Sequence, residues 1–301
     1  MPKTLDELIM RAKALPGEKT IAVCGADDEH LTALAKELAE IGLCKSILVG
    51  SEERILALCG GVLPDGVSVV NEPDRAASCL KAVGLVSGGA AQVFVKGMVN
   101  TKDFLRAVLN KDCGLRTGRQ LNVMTCYEIP GQEKLLFVAD GGMVVAPDLE
   151  SKVQIINNCV PVLHALGIAE PKIAILAANE QVSPGMPATI DAADIVELAA
   201  AGKLPRGIYE GPMALDVIMR REAAEIKGLE SRVSGDADFI LVPSIETGNC
   251  LGKAIGYFGH GVMAGIVVGA AKPVIMSSRA GLMKSKIASV AWALLSQKEN
   301  V

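Results

Sequence analysis

Residues 20–50 read TIAVCGADDEHLTALAKELAEIGLCKSILVG, and this stretch decides the fold class. Its two ends, TIAVCG at 20–25 and SILVG at 46–50, are short apolar runs of the kind that strands covered on both faces display. Between them, residues 29–41 repeat apolar side chains at helical spacing. Strand, helix and strand in one short run make a βαβ unit. Working outward, the alternation recurs with VSVV at 67–70, a helical pattern over 74–86, AQVFV at 91–95 and LNVMTC at 121–126. The expectation is an α/β protein with parallel strands.

The alternation breaks once. LNVMTCYEI and KLLFVAD are separated by Pro130 and Gly131, which predicts an antiparallel pair, and a long helix over 148–166 follows. The domain boundary is placed here: a first α/β domain over 1–130, rejoined by 278–301, and a second over 131–277. The βαβ alternation then resumes with KIAILAA at 172–178, a helix over 192–201, RGIYE, a helix over 214–226, DFILVP at 238–243 and a helix over 249–257. GVMAGIVVG, PVIMSS and a last helix over 282–295 complete it.

With 301 residues, half of them hydrophobic and 21% charged, the chain can bury sizeable cores. A formal charge of -4 and 3% aromatics exclude the basic, stacking surface of a nucleic-acid binder. A small anion remains open, because a local arginine and helix N-termini can hold phosphate in an acidic protein. The eight cysteines are scattered through apolar surroundings without metal spacing, so they read as reduced core residues, and no metal site is expected. The start, MPKTLDELIMRAKAL, has the pattern of an amphipathic helix rather than a signal peptide, and the most apolar stretch, 261–271, is too short to span a membrane. The expected location is the cytoplasm.

Ligands of open α/β sheets meet the carboxyl ends of strands, so the segments after strands carry the candidates. Lys96-Gly-Met-Val-Asn-Thr101 opens a helix, which Thr101 can cap, with Lys96 and Asn100 beside its free N–H groups. A plain capped turn accounts for it equally, and Arg106 one turn on reads as either an anion ligand or a surface residue. Asp140-Gly141-Gly142 is a tight turn in which glycines permit close backbone approach. The polar loop 179–187, with Ser183 and Gly185, is long for an α/β connection, which fits a ligand loop or a mobile tip. In EGPMALD, a Gly-Pro turn precedes a helix holding Asp216. SIETGN offers Ser244, Glu246, Thr247 and Asn249 in one polar turn after a buried strand. Finally, Ser278 and Arg279 follow the strand PVIMSS, where a guanidinium holds phosphate bidentately or pairs with a carboxylate. His30, His164 and His260 stand apart from any acid or thiol at motif spacing, and no GxSxG, P-loop or GxGxxG pattern is present.

Taken in order, TKDFLRAVL, FVADGGMVVAPD, the loop after KIAILAANE, EGPMALD, GDADFILVPSIETGN and the strand ending in SSRAG resemble the phosphate acetyl/butyryltransferase family. The likeness runs from about Thr20 to the C-terminus, and KGMVNT and SIETGN are similar to the butyryltransferase branch. It implies two open α/β domains of the isocitrate-dehydrogenase-like kind with a cleft between them, and usually a homodimer or higher homo-oligomer. The implied reaction is reversible transfer of a short acyl group, butyryl favoured over acetyl, between coenzyme A and inorganic phosphate. Acyl-CoA and phosphate are then the partners, with CoA a co-substrate and no tightly bound cofactor.

On the family pattern, Ser278 and Arg279 match an active-site pair and Arg106 a phosphate-binding arginine, with Thr101 beside it. Lys96, Asn100, Gly141, Gly142, Ser183, Gly185 and Asn249 are the expected substrate and CoA contacts. Acetyltransferase relatives place an Asp six residues after the arginine as thiol base, and here that position is Ser285. Glu246 is the candidate substitute, and an arginine-lowered thiol pKa is the alternative to a base. Two rival readings are a metal-dependent NAD dehydrogenase of the same fold, which needs an Asp or His ligand set, and a non-catalytic acyl-CoA-binding regulatory protein, which would lack the phosphate clamp.

Overall fold

The β-branched runs become strands and the 3.6-periodic segments become helices. The structure, a computed structural model, describes residues 2–276 and 281–297. In chain order the strands are β1 (Thr20–Cys24), β2 (Lys45–Gly50), β3 (Val67–Asn71), β4 (Val93–Lys96), β5 (Asn122–Glu128), β6 (Leu136–Ala139), β7 (Lys172–Leu176), β8 (Ile208–Met213), β9 (Phe239–Leu241), β10 (Val262–Val268) and β11 (Val274–Ile275). The helices are α1 (Leu5–Lys13), α2 (Glu29–Glu40), α3 (Glu52–Leu58), α4 (Arg75–Ser87), α5 (Thr101–Val108), α6 (Leu149–Ala165), α7 (Pro187–Ala200), α8 (Leu215–Met219), α9 (Arg221–Ile226), α10 (Ile245–Tyr257) and α11 (Met283–Leu295). The fold is mixed α/β. No helix among the described residues is long and apolar enough to cross a membrane.

Two compact units divide the chain, one built from Leu5–Arg119 together with the chain from Ala264 onward, the other from Gln120–Met263. In the first, the strand order is β3-β2-β1-β4-β11-β10. All its pairs are parallel except β10 with β11. Helix α11 buries Trp292 and most of its length, α1 packs against it through Leu5 and Leu8, and Lys284 pairs with Asp6 at 2.9 Å. Phe94 of β4 stacks on Phe104 of α5 with ring centroids 4.5 Å apart, which fixes α5 over the strand that leads into it.

In the second unit the order is β5-β6-β9-β7-β8. β5 and β6 form the expected antiparallel pair, with Met124 opposite Ala139 and Gly131 supplying a positive φ in the turn. β6, β9, β7 and β8 then run parallel, so their carboxyl ends share one edge. Val138, Ala174, Ile240 and Met213 on these strands bury with Val217, Ile218 and Val233 in one core.

Four expectations need correction. Gly211 and Pro212 lie inside β8 rather than in a turn: a Cβ on Gly211 would stand 2.7 Å from Cβ of Ile175, so only glycine lets β8 approach β7. The proline is tolerated because β8 is the edge strand and its register shifts there. The single helix over 214–226 is two, because the Ser234 hydroxyl and the Gly235 amide take the carbonyls of Val217 and Ile218 and leave Arg220 extended. Helices α7 and α10 start a turn or more before the apolar periodicity does, at Pro187 and Ile245. Cys250 is exposed on α10, unlike Cys24, Cys44, Cys79, Cys126 and Cys159, which are buried as expected.

Candidate active site

In the unit beginning at Leu5, the turn after β4 is bolted to the end of β1. Met98 N donates to Gly25 O at 2.9 Å, and a Cβ on Gly97 would lie 2.2 Å from Cys24 O. No side chain fits there, so residues 96–100 take one path along the carboxyl edge. Lys96 points its Nζ at Gly97 O, 3.4 Å away. Helix α5 is capped by Asn100, whose Oδ1 accepts from Asp103 N at 2.8 Å, while Nδ2 reaches Oδ2 of Asp103 in return. Thr101 is therefore the first residue of α5 and not its cap, a correction that follows from Asn preceding Thr in the capping position. Arg106, with 66% of its side chain exposed, pairs with Asp103 at 3.3 Å.

Beside this turn lies a group that sequence reading passed over. Asp27, buried after β1, receives Arg75 on both carboxylate oxygens at 2.5 and 2.9 Å, and Arg54 at 3.3 Å. The run Asp27-Asp28 carries no mark of which acid is buried; Asp28 instead caps α2. Ser278 and Arg279 lie outside the described residues. Ser285 stands in the first turn of α11, where its carbonyl accepts from the Ser289 hydroxyl at 2.8 Å.

In the unit Gln120–Met263, the shared carboxyl edge gathers four segments. After β6, Asp140 accepts from Gly142 N and Met143 N through Oδ1, at 2.6 and 2.8 Å, and from Val123 N through Oδ2 at 2.7 Å. After β9, Ser244 caps α10, and its hydroxyl lies 3.3 Å from that of Thr247. Asn249 Nδ2 donates to Gly141 O at 3.3 Å, so these two expected contacts are neighbours, with Gly142 next to them against Val123. Glu246 is exposed, and its own amide and the Ser244 hydroxyl hold its carboxyl below the usual range. Held low, it is a weak proton acceptor toward a thiol.

After β7, Ser183 is fixed by Thr189, whose hydroxyl accepts from Ser183 N at 2.9 Å and donates to Met186 O at 2.8 Å, while Gly185 is exposed. The same loop is tied down by Glu180, which accepts from Lys227 at 3.0 Å and from Ala214 N at 3.3 Å. Lys227 reaches Asp216 as well, at 3.1 Å. Glu180 and Lys227 are 47 residues apart, and no local pattern joins them.

Helix starts, close backbone approaches and polar side chains thus lie along the carboxyl edges of the parallel strands, where open α/β sheets hold their ligands. The family model described as phosphate acetyl/butaryl transferase matches residues 67–294, and the chain belongs to that family, which makes it a transferase of the phosphate acyltransferase class. Among relatives, it is 40% identical over 297 residues to the phosphate butyryltransferase of Clostridium acetobutylicum, with 98% of each chain covered. It is 36% identical over 296 residues to the phosphate acetyltransferase of Rhizobium meliloti, covering 98% of this chain and 93% of that one. The crystal structure of a branched-chain phosphotransacylase from Enterococcus faecalis V583 superposes with a TM-score of 0.82 at 28% identity, covering 92% of this chain and 98% of that one.

Proposed function

We propose that the chain transfers a short acyl group reversibly between the sulfur of coenzyme A and inorganic phosphate, with butyryl preferred to acetyl. The observation that carries this reading is the 40% identity to a butyryltransferase over 98% of both chains. In the forward direction a phosphate oxygen attacks the thioester carbonyl, a tetrahedral oxyanion forms, and the CoA thiolate leaves with the acyl phosphate remaining. That sequence needs a cation site for phosphate and donors for the oxyanion. In this reading Arg279 and Arg106 clamp the phosphate, with Thr101 beside them, and Ser278 donates to the oxyanion. Lys96, Asn100, Gly141, Gly142, Ser183, Gly185 and Asn249 meet CoA.

Run in reverse, the thiol must lose a proton. A guanidinium next to the sulfur lowers its pKa and lessens the need for a base, which leaves Glu246 the secondary acceptor. CoA is a co-substrate and no cofactor stays bound. The fold is of the isocitrate-dehydrogenase-like kind, and the enzyme works as a cytoplasmic homodimer.

The test is phosphate-dependent release of free thiol, followed with a disulfide reagent, from butyryl-CoA and from acetyl-CoA. Butyryl-CoA is expected to give the higher kcat/KM. Higher kcat/KM with acetyl-CoA would reassign the acyl chain, and the absence of release from either would reject the transferase reading in favour of a regulatory acyl-CoA binder.

A further inference from the structure

Asp140 is 2% exposed, and its oxygens accept from the backbone amides of Val123, Gly142 and Met143. An ionised carboxylate offers acceptors alone and satisfies every one of them, whereas an amide of the same shape would turn its own N–H₂ on one. The turn so organised is also a bearing surface. A Cβ on Gly141 would lie 2.7 Å from the Gly248 carbonyl carbon, and one on Gly248 would lie 2.6 Å from Cα of Gly141, so α10 rests backbone to backbone on the turn. Asn249 adds its hydrogen bond to Gly141 O. One turn earlier, α10 presents Ser244, Glu246 and Thr247.

Burial pushes the pKa of Asp140 up against the pull of the surrounding amides, so the ionised form is disfavoured by folding rather than rewarded.

We infer that Asp140 is a positioning residue for acyl transfer, which holds turn 140–143 so that the Gly141–Gly248 contact sets the start of α10 where it meets the substrate. The inference rests on the acyltransferase reading.

Its test is a cycle of Asp140→Asn, Gly248→Ala and the double variant, each assayed for thiol release with KM and kcat resolved for butyryl-CoA, alongside thermal unfolding. Asp140→Asn is expected to fold and to lower kcat/KM by ten- to a hundredfold, since a catalytic element displaced by about 1 Å costs on the order of a hundredfold. Gly248→Ala pushes the same contact from the other side, so it should alter the same kinetic parameter, and the double variant should be little worse than the poorer single. Losses that multiply, a folded Asp140→Asn enzyme with wild-type kcat/KM, or an Asp140→Asn chain that does not fold would each overturn the inference. Wild-type protein inactive toward every acyl-CoA would instead sink the acyltransferase reading, and the positioning role with it.

Discussion

Arg106 is held by an exposed ion pair to Asp103 three residues before it, an interaction worth a few tenths of a kcal/mol in water. A phosphate dianion can displace so weak a partner, and a guanidinium that gains two parallel hydrogen bonds binds it well. On the proposed clamp, Arg106→Ala should raise KM for phosphate about tenfold, the loss of roughly 1.4 kcal/mol, with little change in Tm. Unchanged phosphate KM would remove Arg106 from the clamp and leave it a surface residue. Glu246 raises a different question, because its carboxyl sits below the usual value of 4.5 and is ionised throughout the neutral range. The pH–rate profile of Glu246→Gln should therefore keep the wild-type shape near neutrality, shifted at most by a constant factor. An acidic limb that vanishes in the variant would restore Glu246 as the thiol base.

At the scale of the element, α5 shows what a cap decides. Asn100 accepts from the free amide of Asp103 and donates to its carboxylate, so Asn100→Ala should cost about 1 kcal/mol of stability, read as a lower Tm. Thr101→Ala, at the first helical position, should cost much less. Equal losses would mean that the cap is shared. The helix lies where its sequence pattern predicts it, but the cap is one residue earlier than Thr101, since Asn and Thr are both good caps and only the backbone angles at Asn100 separate them. The break between α8 and α9 was beyond the local pattern altogether. It depends on Ser234 and Gly235, which arrive from 14 or more residues away to take helical carbonyls.

For the molecule as a whole, the unit Gln120–Met263 is braced at the amino edge of its strands, opposite the proposed chemistry. Lys134 pairs with Asp236 and Asp238 at 2.6 and 2.5 Å, and Lys172 pairs with Asp236 while its amide donates to Asp238. Burial by itself would raise the Asp236 carboxyl, but the two lysines outweigh it and hold the group below its usual 3.8. A folded pKa below the unfolded one gives stability that is complete above the unfolded value and is lost as pH falls through the folded one. Lys134→Met should accordingly move the acid-unfolding midpoint to higher pH, measured by circular dichroism. A midpoint that stays in place would show that Lys172 suffices.

The alternation of apolar runs with helical periodicity determined, without any structure, the α/β class, the antiparallel pair around Pro130 and Gly131, and the strand ends at which the candidates stand. Ordered motifs along the chain determined the family as well. These are properties of neighbouring residues and of their order, which a chain carries openly. Only the tertiary structure decided that Asp27 rather than Asp28 is buried between arginines, that Glu180 meets Lys227, that Gly211 sits inside a strand, and that Asp140 carries a turn on which α10 rests. Each depends on burial and on partners brought in from distant parts of the chain, and a carboxylate's neighbours in space leave no trace in its neighbours in sequence.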